Sequence, residues 1–327
     1  MKRNLQLPGL EDSIINTEPF KSGNGLSSLD ALKILKENSP LLNKELEERI
    51  IIRTARLNEL NEKLENAVRR IERKNKDITD SITYSRRIQM AMLPDQQILT
   101  DFFTDSFILF KPKDILSGDF YWFLQCQDKF YLAVVDCTGH GVPGALMSMI
   151  GYSLLNETVS IKNINQPGEI LKRLNQGVRR ILKQNTTEKV SWDGMDIALC
   201  VIDRASNKIE FAGANRHMYH FRKEKMEVIK GDRQGIGGAQ LEQVREYTNH
   251  TISFESGDNV YFFTDGYADQ FGGDKHRKMM TGNLVNLIQS SQSRSLFEQK
   301  EVLNSKFEQW RGKLEQTDDI LLIGVKL

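Results

Sequence analysis

The spacing of apolar positions changes once along the chain, near Leu93. From about Leu42 to Met92 there is no glycine or proline, and Ile50, Leu57, Leu64, Ile71 and Ile78 recur every seven residues. Four positions beyond each stand Thr54, Asn61, Val68, Asn75 and Ile82. A narrow apolar stripe flanked by charge predicts a helix that pairs as a coiled coil, with Leu/Ile at d and a mixed a position. Asn61 and Asn75 at a would cost stability and fix the register of a two-stranded coil. The competing reading is a single amphipathic helix lying on its own domain. The helix is expected to begin near Ser28 and to be interrupted at Pro40. Leu93-Pro94-Asp95 should end it, because the residue before a proline avoids the helical region. Residues 1–27 mix Gly, Ser, Asn and Pro with scattered charges and read as a mobile leader.

After Pro94 the texture becomes β-rich. Phe107–Phe110, Phe120–Phe123, Phe130–Val135, Ile197–Ile202, Val260–Phe263 and Ile320–Val325 are strand-length and full of β-branched and aromatic residues. Helical patterns lie between them at about 142–158, 167–184 and 294–313. The strands bunch rather than alternate one-to-one with helices, which predicts a layered α+β domain over 94–327, preceded by a helical, dimerising segment over 28–93.

Composition narrows the function classes. With 39% hydrophobic and 27% charged residues among 327, a real core is expected and wholesale disorder is excluded. A net charge of +1 builds no basic field, so neither nucleic acid nor an anionic membrane is an expected partner. Cys126, Cys137 and Cys200 form no CxxC pair, which fits a reducing cytoplasm. No run of eighteen apolar residues exists to cross a bilayer, and the start, Met1-Lys2-Arg3-Asn4, does not read as a signal peptide.

The chemistry lies in where the aspartates fall. Asp119 opens a strand after Ser117-Gly118, Asp136 closes one and runs into Cys137-Thr138-Gly139-His140-Gly141, Asp265 closes another before Gly266, and Asp318-Asp319 open the last. A lone aspartate at such a place is usually a turn cap. Four delivered by rigid strand ends into one place repel one another unless cations bind them. Hard oxygen donors of this kind suit Mg²⁺ or Mn²⁺ rather than Zn²⁺.

The ordered set Ser117-Gly118-Asp119-Phe120-Tyr121, Asp136-Cys137-Thr138-Gly139-His140-Gly141, Thr264-Asp265-Gly266 and Asp318-Asp319-Ile320 resembles the SpoIIE/RsbU-type branch of the metal-dependent PPM (protein phosphatase 2C-like) serine/threonine phosphatases. The longer stretches Val135–Ala145 and Phe263–Gly273 are similar to a subgroup common in Bacteroidetes-like bacteria. The resemblance implies two antiparallel sheets flanked by helices, an α-β-β-α sandwich, with two Mn²⁺ or Mg²⁺ ions at one end. It implies that Asp136 bridges the ions with help from the backbone carbonyl of Cys137, that Asp265 and Asp318 bind the first, and that Asp119 acts directly or through water. Asp319 would support from behind or hold a further ion. The implied reaction is attack of a metal-activated water on the phosphoserine or phosphothreonine of a regulatory phosphoprotein, by analogy a small STAS-type anti-sigma antagonist. Trp122 and Asp269 depart from the pattern, which blurs any third metal. The phosphate-binding arginine of more distant relatives is missing ahead of Asp119, leaving Lys111, Lys113 and His140 as candidates to contact substrate.

Other phosphate chemistries fail directly. The residues six beyond the three cysteines are Leu132, Pro143 and Ser206, so no Cys-x₅-Arg loop exists, and no GxxxxGK[ST] loop occurs. The rival function is a catalytically weak, phosphatase-shaped scaffold acting through a coil at 42–92, where a homodimer is expected.

Overall fold

The structure is a computed structural model that describes residues 28–184, 191–223, 225–238 and 244–327; the expected leader at 1–27 lies outside them. The chain divides into two units, Met1–Asn75 and Lys76–Leu327.

Helix α1 (Ser28–Met92) contains Pro40 rather than breaking there. The proline removes one intrahelical hydrogen bond, a loss outweighed by the Leu-, Lys- and Glu-rich turns on either side. Its end falls at the position set by Pro94. All five residues of the seven-spaced stripe are more than half exposed. Among the described residues, no helix is long and apolar enough to cross a membrane.

The unit Lys76–Leu327 is built on two sheets. The first runs in the order β1 (Ser106–Lys111), β13 (Ile320–Lys326), β10 (Asn259–Phe263), β6 (Met218–Arg222), β7 (Lys225–Ile229). The second runs β2 (Phe120–Cys126), β3 (Lys129–Cys137), β4 (Gly194–Asp203), β5 (Lys208–Ala214), β9 (His250–Ser253), with β8 (Ile236–Gly237) added on β4. Neighbouring strands in both are antiparallel. A hairpin of β11 (Phe271–Gly272) and β12 (Arg277–Lys278) stands apart.

Burial shows the layers. Phe130, Leu132 and Val134 of β3 join Ile323 and Val325 of β13 and Val260 and Phe262 of β10 in one core between the sheets. The alternate residues Tyr131, Ala133 and Val135 pack outward with α3 (Gly141–Asn156) and α4 (Pro167–Ile181). Ile320 and Leu322 of β13 face α6 (Thr281–Ser290) and α7 (Leu296–Arg311) on the other side. Strands covered on both faces read as continuous apolar runs rather than alternating ones, which is why they stand out in the sequence. The result is the expected α-β-β-α sandwich. Two short helices complete it: α2 (Gln96–Phe102), capped by Asp95, and α5 (Gly266–Asp269) directly behind Asp265. Helix α7 begins at a capping box, Ser295 with Glu298, two residues inside the expected stretch.

Candidate active site

The carboxylates arrive from both sheets at one end of the sandwich. Asp119 immediately precedes β2, and Asp136 is the penultimate residue of β3. Asp265 follows Thr264 at the end of β10, and Asp318-Asp319 precede β13. The Thr264 hydroxyl accepts from the Leu321 amide at 3.0 Å, holding those two strand ends together.

Glycines let the loops close this tightly. A side chain at Gly118 or Gly144 would run into the carbonyl of Gly139, and Gly144 stands with its missing Cβ 2.8 Å from the Gly118 Cα. A side chain at Gly266 would strike the carbonyl of Asp319. Gly141 has φ +63°, the left-handed region that glycine enters without strain. Together with the positive φ of Gly139 (+85°), these constraints account for the glycines of all three motifs.

Asp319 is committed to architecture. Its Oδ1 accepts from the Lys113 amide and its Oδ2 from the Gly118 amide, both at 2.7 Å, pinning the segment before Asp119. That segment is held from its other side by Gln89 near the end of α1. The Gln89 amide group donates to the Ser117 carbonyl at 2.6 Å and the Ser148 hydroxyl at 3.0 Å, and its oxygen accepts from the Ser117 amide at 3.2 Å. The side chain is 7% exposed.

Asp119 is buried and its Oδ2 has no hydrogen-bond partner. Burial first, and the neighbouring Asp136 carboxylate second, push its pKa well above the carboxylate range. Burial likewise pushes Asp136 up to about 7, against the pull of Arg216 and with the repulsion of Asp265, Asp196 and Asp318. Both shifts describe negative charge that lacks compensation.

Two residues that sequence reasoning missed complete the cluster. Asp196 of β4 sits directly across from Asp136 in the strand register, two like charges face to face. It directly precedes the apolar run Ile197–Ile202, as Asp119 and Asp319 precede theirs, and that signal could have found it. Arg216, between β5 and β6, places its Nη2 on Asp136, 2.7 Å from Asp265 and 3.7 Å from Asp196. Nothing about a single arginine after Ala214-Asn215 marks it in the sequence. Among the described residues, no three His, Cys, Asp or Glu side chains are set to ligate one ion as placed; the carboxylates stand around the guanidinium instead.

The remaining candidates divide. Lys111 is turned away, its ammonium held by Glu308 and by Asn304 at 3.0 Å on α7. Lys113 contributes its backbone amide to Asp319. His140 caps the entry to α3, half exposed, with Nδ1 2.6 Å from Asp114. The Cys137 thiol is buried, and burial together with Asp119 and Asp136 pushes its pKa well up, so it stays protonated and unreactive. Trp122 is a core residue whose indole donates to Asn156 at 2.9 Å, and Asp269 pairs with Lys278 at 2.8 Å. His220 is buried against Asp258 at 2.9 Å beside Arg222.

Comparison with known proteins agrees with this fold. The SpoIIE family model, described as stage II sporulation protein E, matches residues 127–327. The phosphoserine phosphatase RsbU of Bacillus subtilis is 25% identical over 199 residues, 59% of this chain and 55% of that protein, so the chain spans about half the length of that relative. The SiaA-PP2C domain of Pseudomonas aeruginosa superposes with a TM-score of 0.71 and 31% identity, covering 77% of this chain and 98% of that one. The PP2C phosphatase domain of SpoIIE from Bacillus subtilis, solved with a fragment of its regulatory domain, superposes at 0.54 with 17% identity over 68% of this chain and 63% of that one, a likeness of fold. With a model match over more than half its length and a PP2C sandwich carrying the motif aspartates at one end, this chain belongs to the SpoIIE family.

Proposed function

We propose that the chain is a metal-dependent protein-serine/threonine phosphatase acting on a regulatory phosphoprotein. The observation that carries the reading is the orphaned Oδ2 of Asp119, buried beside Asp136 with both carboxyls pushed upward in pKa. A site made only of oxygen donors and short of positive charge fits two hard divalent ions, Mn²⁺ or Mg²⁺. Asp119, Asp136, Asp265, Asp318 and the carbonyl of Cys137 would hold them, while Asp319 is already spent on the amides of Lys113 and Gly118. When bound, such ions acidify a water and neutralise phosphoryl oxygens. The protein's part is to hold the aspartates rigidly on strand ends, so that positioning and electrostatics supply most of the barrier lowering. The protonated, buried thiol of Cys137 takes no part.

The name of the RsbU relative supports phosphoserine as the substrate; a STAS-type protein is the candidate by analogy. The free cysteines, two of them buried, support a cytoplasmic setting. A second copy of the chain, paired through 42–92, is the occupant that suits an exposed seven-residue stripe with asparagine at a. Gln89 offers a route from that helix to Asp119: a shift of α1 moves Ser117 directly, so dimerisation would bias the domain toward a metal-competent state.

The test is hydrolysis of p-nitrophenyl phosphate and of phosphoserine peptides with Mn²⁺, with and without chelator. Asp136→Asn should abolish turnover while circular dichroism stays native. Near wild-type turnover of Asp136→Asn at saturating Mn²⁺ would falsify the assignment, and a folded wild type inactive on every phosphopeptide would favour a scaffold.

A further inference from the structure

The cation present in this cluster belongs to the protein itself. Arg216 is 14% exposed and touches three carboxylates, those of Asp136, Asp196 and Asp265. Asp136 and Asp265 are two of the residues assigned above to the divalent ions. The guanidinium offsets the cost of its burial through these carboxylates. Its Nε is buried without a hydrogen-bond partner, so the group is held by the carboxylates rather than by a full set of bonds.

The backbone at this position is clamped. The carbonyl of Arg216 lies where side chains at Gly213 and Gly231 would be, and the Gly231 amide donates to His217 Nδ1 at 3.2 Å. Movement is therefore left to the torsions of the arginine side chain. Space for it exists on both sides. A cavity of about 170 Å³ opens beside Arg216 and Asp265, walled by Tyr219 and Phe263, whose rings stack at 4.6 Å. A second cavity of about 430 Å³ is lined by Asp196 and Asn215 among others. A planar guanidinium leaving the carboxylates can settle against an aromatic face.

We propose that Arg216 is a tethered counter-ion: in the metal-free protein it bridges Asp136 and Asp265, and divalent ions bind by displacing it. This rests on the reading of Asp136 and Asp265 as metal ligands. A carboxylate oxygen engaged by a guanidinium at hydrogen-bond distance is closed to an ion, and a displaced guanidinium nearby still repels one. Apparent metal affinity is then the intrinsic affinity scaled by the fraction of molecules with the arginine swung out. The same contact keeps the carboxylates from driving the strand ends apart before metal arrives.

The experiment is Mn²⁺ binding to chelator-stripped protein by calorimetry, with thermal unfolding in parallel, for wild type, Arg216→Gln and Arg216→Lys. Arg216→Gln should bind Mn²⁺ more tightly, by roughly tenfold or more if the swung-out form is a tenth of the population or less. Its metal-free melting temperature should fall below wild type, and saturating Mn²⁺ should close that gap. Arg216→Lys should lie between, because an ammonium keeps the charge but is more strongly hydrated than a guanidinium and so is held less firmly at this buried position. If Arg216→Gln folds only with Mn²⁺, chelator must unfold it while wild type stays folded, which supports the same conclusion. Unchanged or weaker Mn²⁺ binding by Arg216→Gln overturns the proposal with the metal reading intact. So does an equal loss of stability with and without Mn²⁺, or failure to fold in either, since arginine would then be structural only. If neither wild type nor Arg216→Gln binds Mn²⁺, the metal reading fails first and the counter-ion proposal with it.

Discussion

Gln89→Met tests whether the end of α1 holds the Asp119 segment. Methionine keeps the volume and removes the amide. The Ser117 amide and carbonyl both lose their Gln89 partner, whereas the Ser148 hydroxyl keeps its bond to the Ala145 carbonyl at 2.8 Å. An orphaned buried polar group costs about 1–3 kcal/mol, so two stranded groups cost about 2–4 kcal/mol once methionine's easier burial is counted. At about 2–4 °C per kcal/mol for a domain of 150–250 residues, the melting temperature should fall by roughly 5–15 °C. Tryptophan fluorescence is the probe, because Trp122, Trp192 and Trp310 all lie in the unit Lys76–Leu327 while helical dichroism would be swamped by α1. Ser117 is two residues from Asp119, so Mn²⁺ binding should weaken as well. A shift under about 2 °C with Mn²⁺ affinity unchanged would refute the reasoning, because the hydrogen bonds would then be incidental.

Other outcomes follow from the same geometry. Cys137→Ala should retain turnover on p-nitrophenyl phosphate, since only its backbone faces the site; complete loss of activity would reveal thiol chemistry. Leu64→Lys combined with Ile71→Lys should give a monomer by light scattering, because charge is placed on the stripe proposed to pair, with lower activity per site that excess Mn²⁺ partly restores. A monomer with wild-type turnover and metal dependence would reduce the coil to a tether. The raised pKa of Asp136 makes a pH-dependent term in metal-free stability. The folded form holds its proton up to about pH 7, so the contribution is present below the ordinary value of 3.8 and is lost as pH rises toward about 7. Urea unfolding of chelator-treated wild type and Asp136→Asn should therefore show the variant gaining relative stability from pH 5 to pH 7.5, and a constant difference would contradict the shift.

Much of the fold could be read from the chain because the doubly covered strands announce themselves. The run Phe130 to Val135 is apolar on both sides, and so is Ile320 to Val325, whose flanking aspartates mark the strand ends. The edge strands were less visible. In β7 the sequence Lys225-Met226-Glu227-Val228-Ile229 fully buries only Ile229, so no apolar run appears. The two-residue strands β8, β11 and β12 have no pattern to read, and α6 is only ten residues long. In the site, local motifs pointed to Asp119, Asp136, Asp265 and Asp318, whereas Arg216 depends on how two sheets stack and is invisible to any local pattern. Lys111 shows the converse: adjacent in sequence to the right segment, it points to α7 because β1 alternates its faces. Pro40 shows that a strong local signal can yield to the turns around it.

The strand order also dictates when activity can appear during synthesis. In the described sheet β1 pairs with β13 alone, a partner more than two hundred residues further along the chain. Closing so long a loop is entropically costly and is deferred until both ends exist. While the ribosome is still translating the middle of the domain, β1 has an open edge and Asp119 has no Asp318-Asp319 behind it. A truncated or stalled product carries most of the fold but not the assembled carboxylates, so under the proposed function a half-made chain is silent. Its exposed β1 edge also makes such a fragment a natural target for chaperones or aggregation.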